Sequence, residues 1–596
     1  MDKRFFLALA LSAIVIVLTQ MIFPQPKQAP VAPRAAVTDS ASRAGSTTGV
    51  AGTAGSVGDS APAAAPLAAA AQQPADSATV ASAPPAAPAA PAAPARVVSV
   101  ATGKAIYGIS TVGGAPVSAV LEEYRPLVKG GGTSTERVEL ARPGEPLLRY
   151  RLAAAGDTVA LDRVPFTVID SSAVGGRGGA LTLQTSVTTR SGQPARVTLT
   201  YDFVPDGYVA RVRGRVEGLP SGAGYLLVEL PRGLRSQEAD TLEDQGHLAF
   251  ALKPMRDNAT SIGFGKLDPG ERRIERGPFM WAVTKNKYFL VGLLAAEGDS
   301  SFVEADLVGG ARTTKVATSA AGTVVQRLGD GGSFGFELYA GPQEFRQLRA
   351  MGRDFENANP HGWYLQGFLQ PLSALVMRLL LWMHATLNLS YGWVLVIFAV
   401  VVRVALWPLN QSAMRSSIKM QRLQPELQAV QERFKGDPQK LQGEMMKVYK
   451  EHGMSPLSPL MGCLPALIPM PILLTLIFVF QNTIEFRGVP FLWLHDLSAK
   501  DPYYIAPLLM GATTFLLSWI GMRNVPPNPQ TKMMLYMMPV MMTMFLVNLA
   551  GGLNIYYVCQ NLAALPQQWL IANERAKSGP PLVQGTPIKK ERTAKA

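Results

Sequence analysis

Five long apolar runs, at about 390–409, 460–483, 503–522, 533–549 and 552–573, crowd the C-terminal part of the chain, and a sixth, Phe5–Phe23, lies near its start. A bilayer interior offers backbone amides no water, so such runs fold as helices that satisfy their own hydrogen bonds. The sixth run has 19 residues, enough at ~1.5 Å per residue to cross a hydrocarbon core of roughly 30 Å. Lys3 and Arg4 precede it, which puts the N-terminus in the cytoplasm. No A-x-A site follows closely, so we expect residues 1–23 to stay as a signal anchor.

Between the apolar ends the chain changes character twice. From Pro24 to residue 96 it is Ala, Pro and Ser with little to bury, as in APPAAPAAPAAPA, which reads as a disordered tether. Residues 97–350 are rich in alternating segments. In RVTLTYDFVPDGYVARVRGRV the apolar positions Val197, Leu199, Tyr201 and Phe203 alternate, and Tyr208, Ala210 and Val212 resume after Pro205-Asp206-Gly207. That is a half-buried hairpin, and its repetition predicts a large antiparallel β-sandwich. Gly331–Gly335 matches G-x-S-x-G, but a turn precedes Ser333 and a strand follows, so no nucleophile elbow is expected.

Residues 351–389 include apolar positions at helical spacing with Trp363, Tyr364 and Trp382 as interfacial anchors. We read an amphipathic helix on the outer membrane surface, with Pro371 and Arg378 arguing against a span. Residues 411–455 are polar. Met420, Leu423, Leu427, Val430 and Phe434 keep a 3-4-3-4 spacing, as do Leu441, Met445 and Val448. Gly436 ends the first helix, Asp437 caps the second and Pro438 opens it, giving an antiparallel hairpin. Its eight Lys and Arg place it in the cytoplasm with the basic tail 574–596. Six spans from a cytoplasmic N-terminus return the chain to that side.

The chemistry-bearing signals are few. There are two cysteines, Cys463 and Cys559, both in apolar segments, and five scattered histidines. No disulfide, zinc site or other cofactor is expected. The net charge of +13 sits in loops beside the spans, which suits lipid headgroups or ribosomal RNA better than sequence-specific nucleic acid.

RLQPELQAVQERFKGDPQKLQGEMMKVYKEHG, GCLPALIPMPI, FLWLHDLSAKDPYYIAPLLMG and MPVMMTMFLVNLAGGLNIYYVCQN together resemble the YidC membrane protein insertases of the Oxa superfamily. A weaker likeness extends to Trp281, Asn286–Phe289 (NKYF) and Leu338–Pro342 (LYAGP). The resemblance implies a polytopic α-helical membrane protein of six spans, with a five-helix core over 390–573 and a large periplasmic domain. It implies a non-enzymatic insertase and folding chaperone of the inner membrane, acting alone or with the Sec translocon on newly made membrane proteins, with the ribosome and the bilayer as further partners. It also implies a water-filled groove with a single arginine, matched here by Arg403, and substrate-contacting aromatics matched by Tyr556 and Tyr557. Two stretches depart from the family's pattern: Ser458–Cys463 reads SPLMGC instead of NPLGGC, and Pro469 replaces a glutamine.

From the residues themselves, Arg403 lies about 9 Å inside its run at helical rise. No acidic residue stands in the interior of the other four core runs. A charge that is costly in lipid is tolerable in a wet niche, so Arg403 is expected to face one and attract acidic client tails. Met537 and Met541, within a methionine-rich run, are candidate client contacts because methionine adapts to varied partners. In the hairpin the candidates are Gln424, Pro425, Glu444 and Tyr449. A small-solute or lipid transporter is the alternative, but it calls for inverted repeats and paired ionisable groups, and the sequence offers neither.

Overall fold

The computed structural model describes residues 95–577 apart from 130–131, 155–156, 190–191, 193, 219–223, 297–300, 313–315, 360–364, 435, 453–469 and 524–528. The apolar run Phe5–Phe23, the Ala/Pro tether, Trp363 and Tyr364, the departures at 458–463 and Pro469, and the tail beyond 577 lie outside the described residues.

Residues 97–342 form an antiparallel domain of a four-stranded and a fourteen-stranded sheet that share one core. The expected hairpin is there: Pro194–Phe203 pairs with Val209–Glu217, with Phe203 opposite Ala210. Val197, Leu199, Tyr201, Phe203, Tyr208, Ala210 and Val212 are all buried. Asp206 takes the left-handed φ of 51° that the turn requires, a conformation Asp tolerates better than branched residues do. Ser333 opens the strand Ser333–Pro342 and donates its hydroxyl to the Asp330 carbonyl at 3.0 Å. No helix follows, so the G-x-S-x-G match is a turn.

Helix α1 (Thr241–Gly246) belongs to the β-domain, and α2 (Phe345–Ala350) leaves it. Then come α3 (Gln366–Leu387), α4 (Tyr391–Ala405), α5 (Trp407–Arg433), α6 (Pro438–Glu451), α7 (Met470–Asn482), α8 (Ile505–Gly521), α9 (Pro529–Leu546) and α10 (Gly551–Lys577). Pro371 lies inside a helix. Helix α3 runs straight through it, because one lost backbone hydrogen bond is outweighed by the burial of Leu369, Val376, Leu380 and Leu381. Among the described residues α3 is the one helix long and apolar enough to cross a membrane; α4, α8 and parts of α7 and α9 are apolar but shorter. The six expected spans therefore reduce, as an observation, to a helical C-terminal region.

Helices α4 and α5 are separated by little more than Leu406, so the first helix of the hairpin starts at Trp407 and not at 411. Leu423 and Leu427 pack with Val448 and Tyr449, flanked by Val430 and Met445. Asp437 accepts from the Lys440 amide at 3.2 Å and Pro438 opens α6. At the other end of α4, Gly392 admits the Phe491 ring so closely that a Cβ would sit 2.0 Å from it. Thus one end of α4 meets the loop after α7, and the other leads into the hairpin.

Candidate functional site

Helix α10 sets Asn554, Gln560, Asn561, Gln567 and Gln568 among apolar neighbours. They fall into two interleaved heptad series, 554–561–568 and 560–567, each kept on one helix face. One face meets α4. Arg403 donates from Nη2 to Gln567 Oε1 at 2.8 Å, and Gln567 Nε2 donates to the Trp407 carbonyl at 3.0 Å. The other face meets α8. Asn561 Nδ2 donates to Thr513 Oγ1 at 3.1 Å and Thr514 Oγ1 at 2.8 Å, and both threonines donate to the Met510 carbonyl. From Asn554 to Gln568 this polar column runs ~21 Å along the helix.

The column is polar beyond what its own contacts use. Arg403 Nε, Asn554 Oδ1, Gln560 Oε1 and Gln568 Oε1 are buried without a hydrogen-bond partner. In a dry core each would cost ~1–3 kcal/mol. Four on facing helices leave hydrogen-bonding capacity there that the protein's own contacts do not use. Arg403 itself is half-buried, and its partner is a neutral amide. The apolar runs offer Arg403 no acidic partner; the partner is the amide at 567. Its signal was legible: polar residues recurring every seven positions in an otherwise apolar run.

The other expected residues are placed less uniformly. Tyr556 is 2% exposed, with its ring 5.9 Å from Phe398 of α4 and 5.6 Å from Tyr557. It belongs to the bundle core, and Tyr557 packs partly buried against that core. Met537 and Met541 do not join Arg403. They stand exposed on α9, whose contacts are to α8 through Tyr536 on Phe515 and Thr543 at Gly511. Tyr449 is buried inside the hairpin, where it packs, and Glu444 pairs with Lys447. Gln424 and Pro425 lie on α5, with side chains outside the described residues.

A second cluster joins the β-domain to the loop between α7 and α8. Arg487 donates from Nε to Glu238 at 2.7 Å, with both side chains under a tenth exposed, and from Nη2 to the Arg125 carbonyl at 3.0 Å. Its guanidinium lies over Phe289, 5.4 Å from the ring centre. Lys287 pairs with Glu243 at 2.9 Å, and the Tyr288 hydroxyl meets Ser498 Oγ at 2.8 Å. Asn286 accepts from the amides of Tyr288 and Phe289. The NKYF motif is therefore the joint itself. Burial pushes Glu238 up to about 7 although Arg487 opposes it. Burial likewise raises Glu485 to about 7; one of its oxygens accepts from the Phe345 amide at 3.1 Å and the other has no partner.

Both clusters fall within segments that match known families. The family model for the 60Kd inner membrane protein matches residues 382–578, and that for the YidC periplasmic domain matches 97–375. A membrane protein insertase YidC from Chlorobium phaeovibrioides is 30% identical over 408 residues, covering 65% of this chain and 68% of the relative. One from Campylobacter jejuni is 37% identical over 240 residues, 40% of this chain and 44% of the relative. A crystal structure of an active YidC insertase with its first transmembrane domain resolved matches at 20% identity and a TM-score of 0.32, over 80% of this chain and 94% of that one.

Proposed function

This chain belongs to the YidC family of membrane protein insertases, inner-membrane proteins that here carry a large periplasmic β-rich domain, and from that membership we propose that the polar column of α10 forms one wall of the groove through which a client's polar segment passes. The observation that carries this reading is the Arg403–Gln567 pair set among buried amides with unmet hydrogen-bonding capacity. A charged tail meets a shortened hydrocarbon barrier there, and the guanidinium attracts acidic tails through low-dielectric surroundings. The client's apolar segment then partitions into lipid. At about −0.5 kcal/mol per Leu-type residue, a 20-residue span is downhill by several kcal/mol without a nucleotide.

The remaining roles belong to the same proposal. The Lys- and Arg-rich hairpin α5–α6 lies in the cytoplasm and meets the ribosome or emerging clients first, while the β-domain faces the periplasm. Met537 and Met541, exposed on α9, offer adaptable surface to client spans leaving the groove. Helix α3 lies along the outer leaflet. The protein also assists folding of inserted clients and works alone or beside the Sec translocon.

Arg403→Lys should retain most insertion, because a wet niche needs charge more than a planar fork. Arg403→Ala should slow clients with acidic tails and leave neutral-tailed ones nearly untouched. Insertion of client pairs that differ only in tail charge separates these outcomes. Equal slowing of both would sink the charge-assisted groove.

A further inference from the structure

Helix α3 has two unlike apolar faces. Leu369, Val376, Met377, Leu380 and Leu381 are buried, whereas Phe368, Leu375 and Trp382 stand 60%, 59% and 58% exposed. Their seven-residue spacing makes one outward stripe, ending in the kind of aromatic that settles at the lipid–water boundary. Beside this stripe α2 and α3 enclose an open cleft of about 510 Å3. Arg346, Arg349 and Arg378 line it together with Phe345, Leu381 and Trp382, and among the described residues no acidic side chain does.

The three arginines are not equivalent. Arg346 donates to the Leu381 carbonyl at 3.1 Å and so ties α2 to α3. Arg349 and Arg378 are exposed and, among the described residues, have neither an ion pair nor a side-chain hydrogen bond. Two free guanidiniums beside an apolar stripe match a ligand with an anionic head and a hydrocarbon tail. Guanidinium recognises phosphate bidentately, and a cleft of this size suits a small-molecule headgroup.

We infer that the α2–α3 cleft binds an anionic phospholipid, its phosphodiester held between Arg349 and Arg378 and its acyl chains laid along Phe368, Leu375 and Trp382. The inference rests on the reading that α3 lies at the outer leaflet. A bound lipid would anchor the hinge between β-domain and bundle at a fixed depth.

The test uses the full chain purified in a neutral detergent, with dioctanoyl phosphatidylglycerol and dioctanoyl phosphatidylcholine counted as adducts by native mass spectrometry. The phosphatidylglycerol should bind roughly thirtyfold more tightly, as two interfacial cations imply. Arg349→Gln/Arg378→Gln should bring it down to the phosphatidylcholine level, and Arg349→Lys/Arg378→Lys should keep most of the preference. Equal adducts of the two lipids, or a preference that survives the double Gln variant, would overturn the site. Ejection of phosphatidylglycerol by excess inorganic phosphate would also overturn it in favour of a free-anion site, and displacement by an acidic peptide in favour of a client site. Client insertion assayed in the same preparations reports on the insertase reading separately, since neither arginine belongs to the groove.

Discussion

The β-domain and the helical bundle differ in where buried polar capacity goes unmet: Arg151 Nε and Ser236 Oγ are scattered in the first, whereas in the second such atoms gather along α10 and beside it. In the β-domain the fully buried tyrosines each have a hydroxyl partner. Tyr107 reaches the Tyr208 carbonyl at 2.7 Å, Tyr201 meets Tyr150 at 3.0 Å and the Gly114 carbonyl at 2.6 Å, and Tyr339 reaches the Pro342 carbonyl at 2.6 Å. Helix α10 buries amides whose oxygens are left unmet. Met capacity fixes a structure, since each group has one best place. On the proposed reading, unmet capacity on a buried helix is held for something that comes and goes.

The largest effect should therefore fall where nothing comes and goes. Trp281 is fully buried, its ring 5.5 Å from Phe355 and its Nε1 donating to the Arg353 carbonyl at 3.0 Å. Trp281→Ala should cost about 3–5 kcal/mol of β-domain stability, seen as a lower unfolding temperature, with insertion by the surviving folded protein unchanged. Loss of insertion at full stability would show that the two regions are less separate than their polarity suggests.

Next comes the joint. Arg487→Met leaves Glu238 buried without its partner, a loss of roughly 3 kcal/mol or more. Because neutralising both sites removes the stranded charge, Arg487→Met/Glu238→Met should recover much of it. Hydrogen exchange over 483–504 would follow both variants. No recovery in the double variant would mean that the hydrogen bonds to the Arg125 and Gln237 carbonyls, and not the charge pair, hold the joint.

How far these regions were legible in the sequence follows the same division. The hairpin at 194–217 could be read because alternation states burial directly, and the α5–α6 core because Leu423, Leu427 and Val448 repeat at helical spacing. The joint was visible as a motif, NKYF, but not as a joint: nothing local says that Tyr288 will meet Ser498, 210 residues away. Arg403 was found as a lone charge in an apolar run, yet its amide partner was not, because a neutral group leaves no mark in a charge count. Met537 and Met541 were chosen by residue type, which fixes no direction; the packing of α9 on α8 turned them elsewhere.

A smaller effect follows pH. Glu485 has its carboxyl raised to about 7 by burial and, unlike Glu238, accepts no hydrogen bond from an arginine among the described residues, so the folded joint favours its protonated form. The stability this contributes is complete below the ordinary carboxylate range and is lost as pH rises through about 7. Unfolding of the β-domain should come about 2–4 °C lower at pH 8 than at pH 6, the shift that roughly 1 kcal/mol gives a domain of this size. Glu485→Gln should flatten part of the slope. A transition that rises with pH would mean that Arg487 holds Glu238 ionised and that the joint is a charge pair throughout.

The smallest effect is the sharpest test of the contrast. Gln567→Ala removes the acceptor that Arg403 uses and the donor to the Trp407 carbonyl. If the α10 column were as dry as the β-domain core, stranding a guanidinium would cost ~1.5–3 kcal/mol or more, because hydrogen bonds to charged groups lie in that range and a buried charge adds its own desolvation. If the column is wet, water takes the place of the amide, and stability should change by less than ~0.5 kcal/mol. The effect then appears in selectivity, because an arginine no longer held against α10 presents its charge less uniformly, and clients with acidic tails should insert about two- to threefold more slowly, a change worth ~0.5 kcal/mol. Neutral-tailed clients should be unaffected. Thermal unfolding and paired-client insertion on the one variant decide the matter, and a large stability loss with equal slowing of both clients would place Arg403 in a packed core and remove the groove from α10.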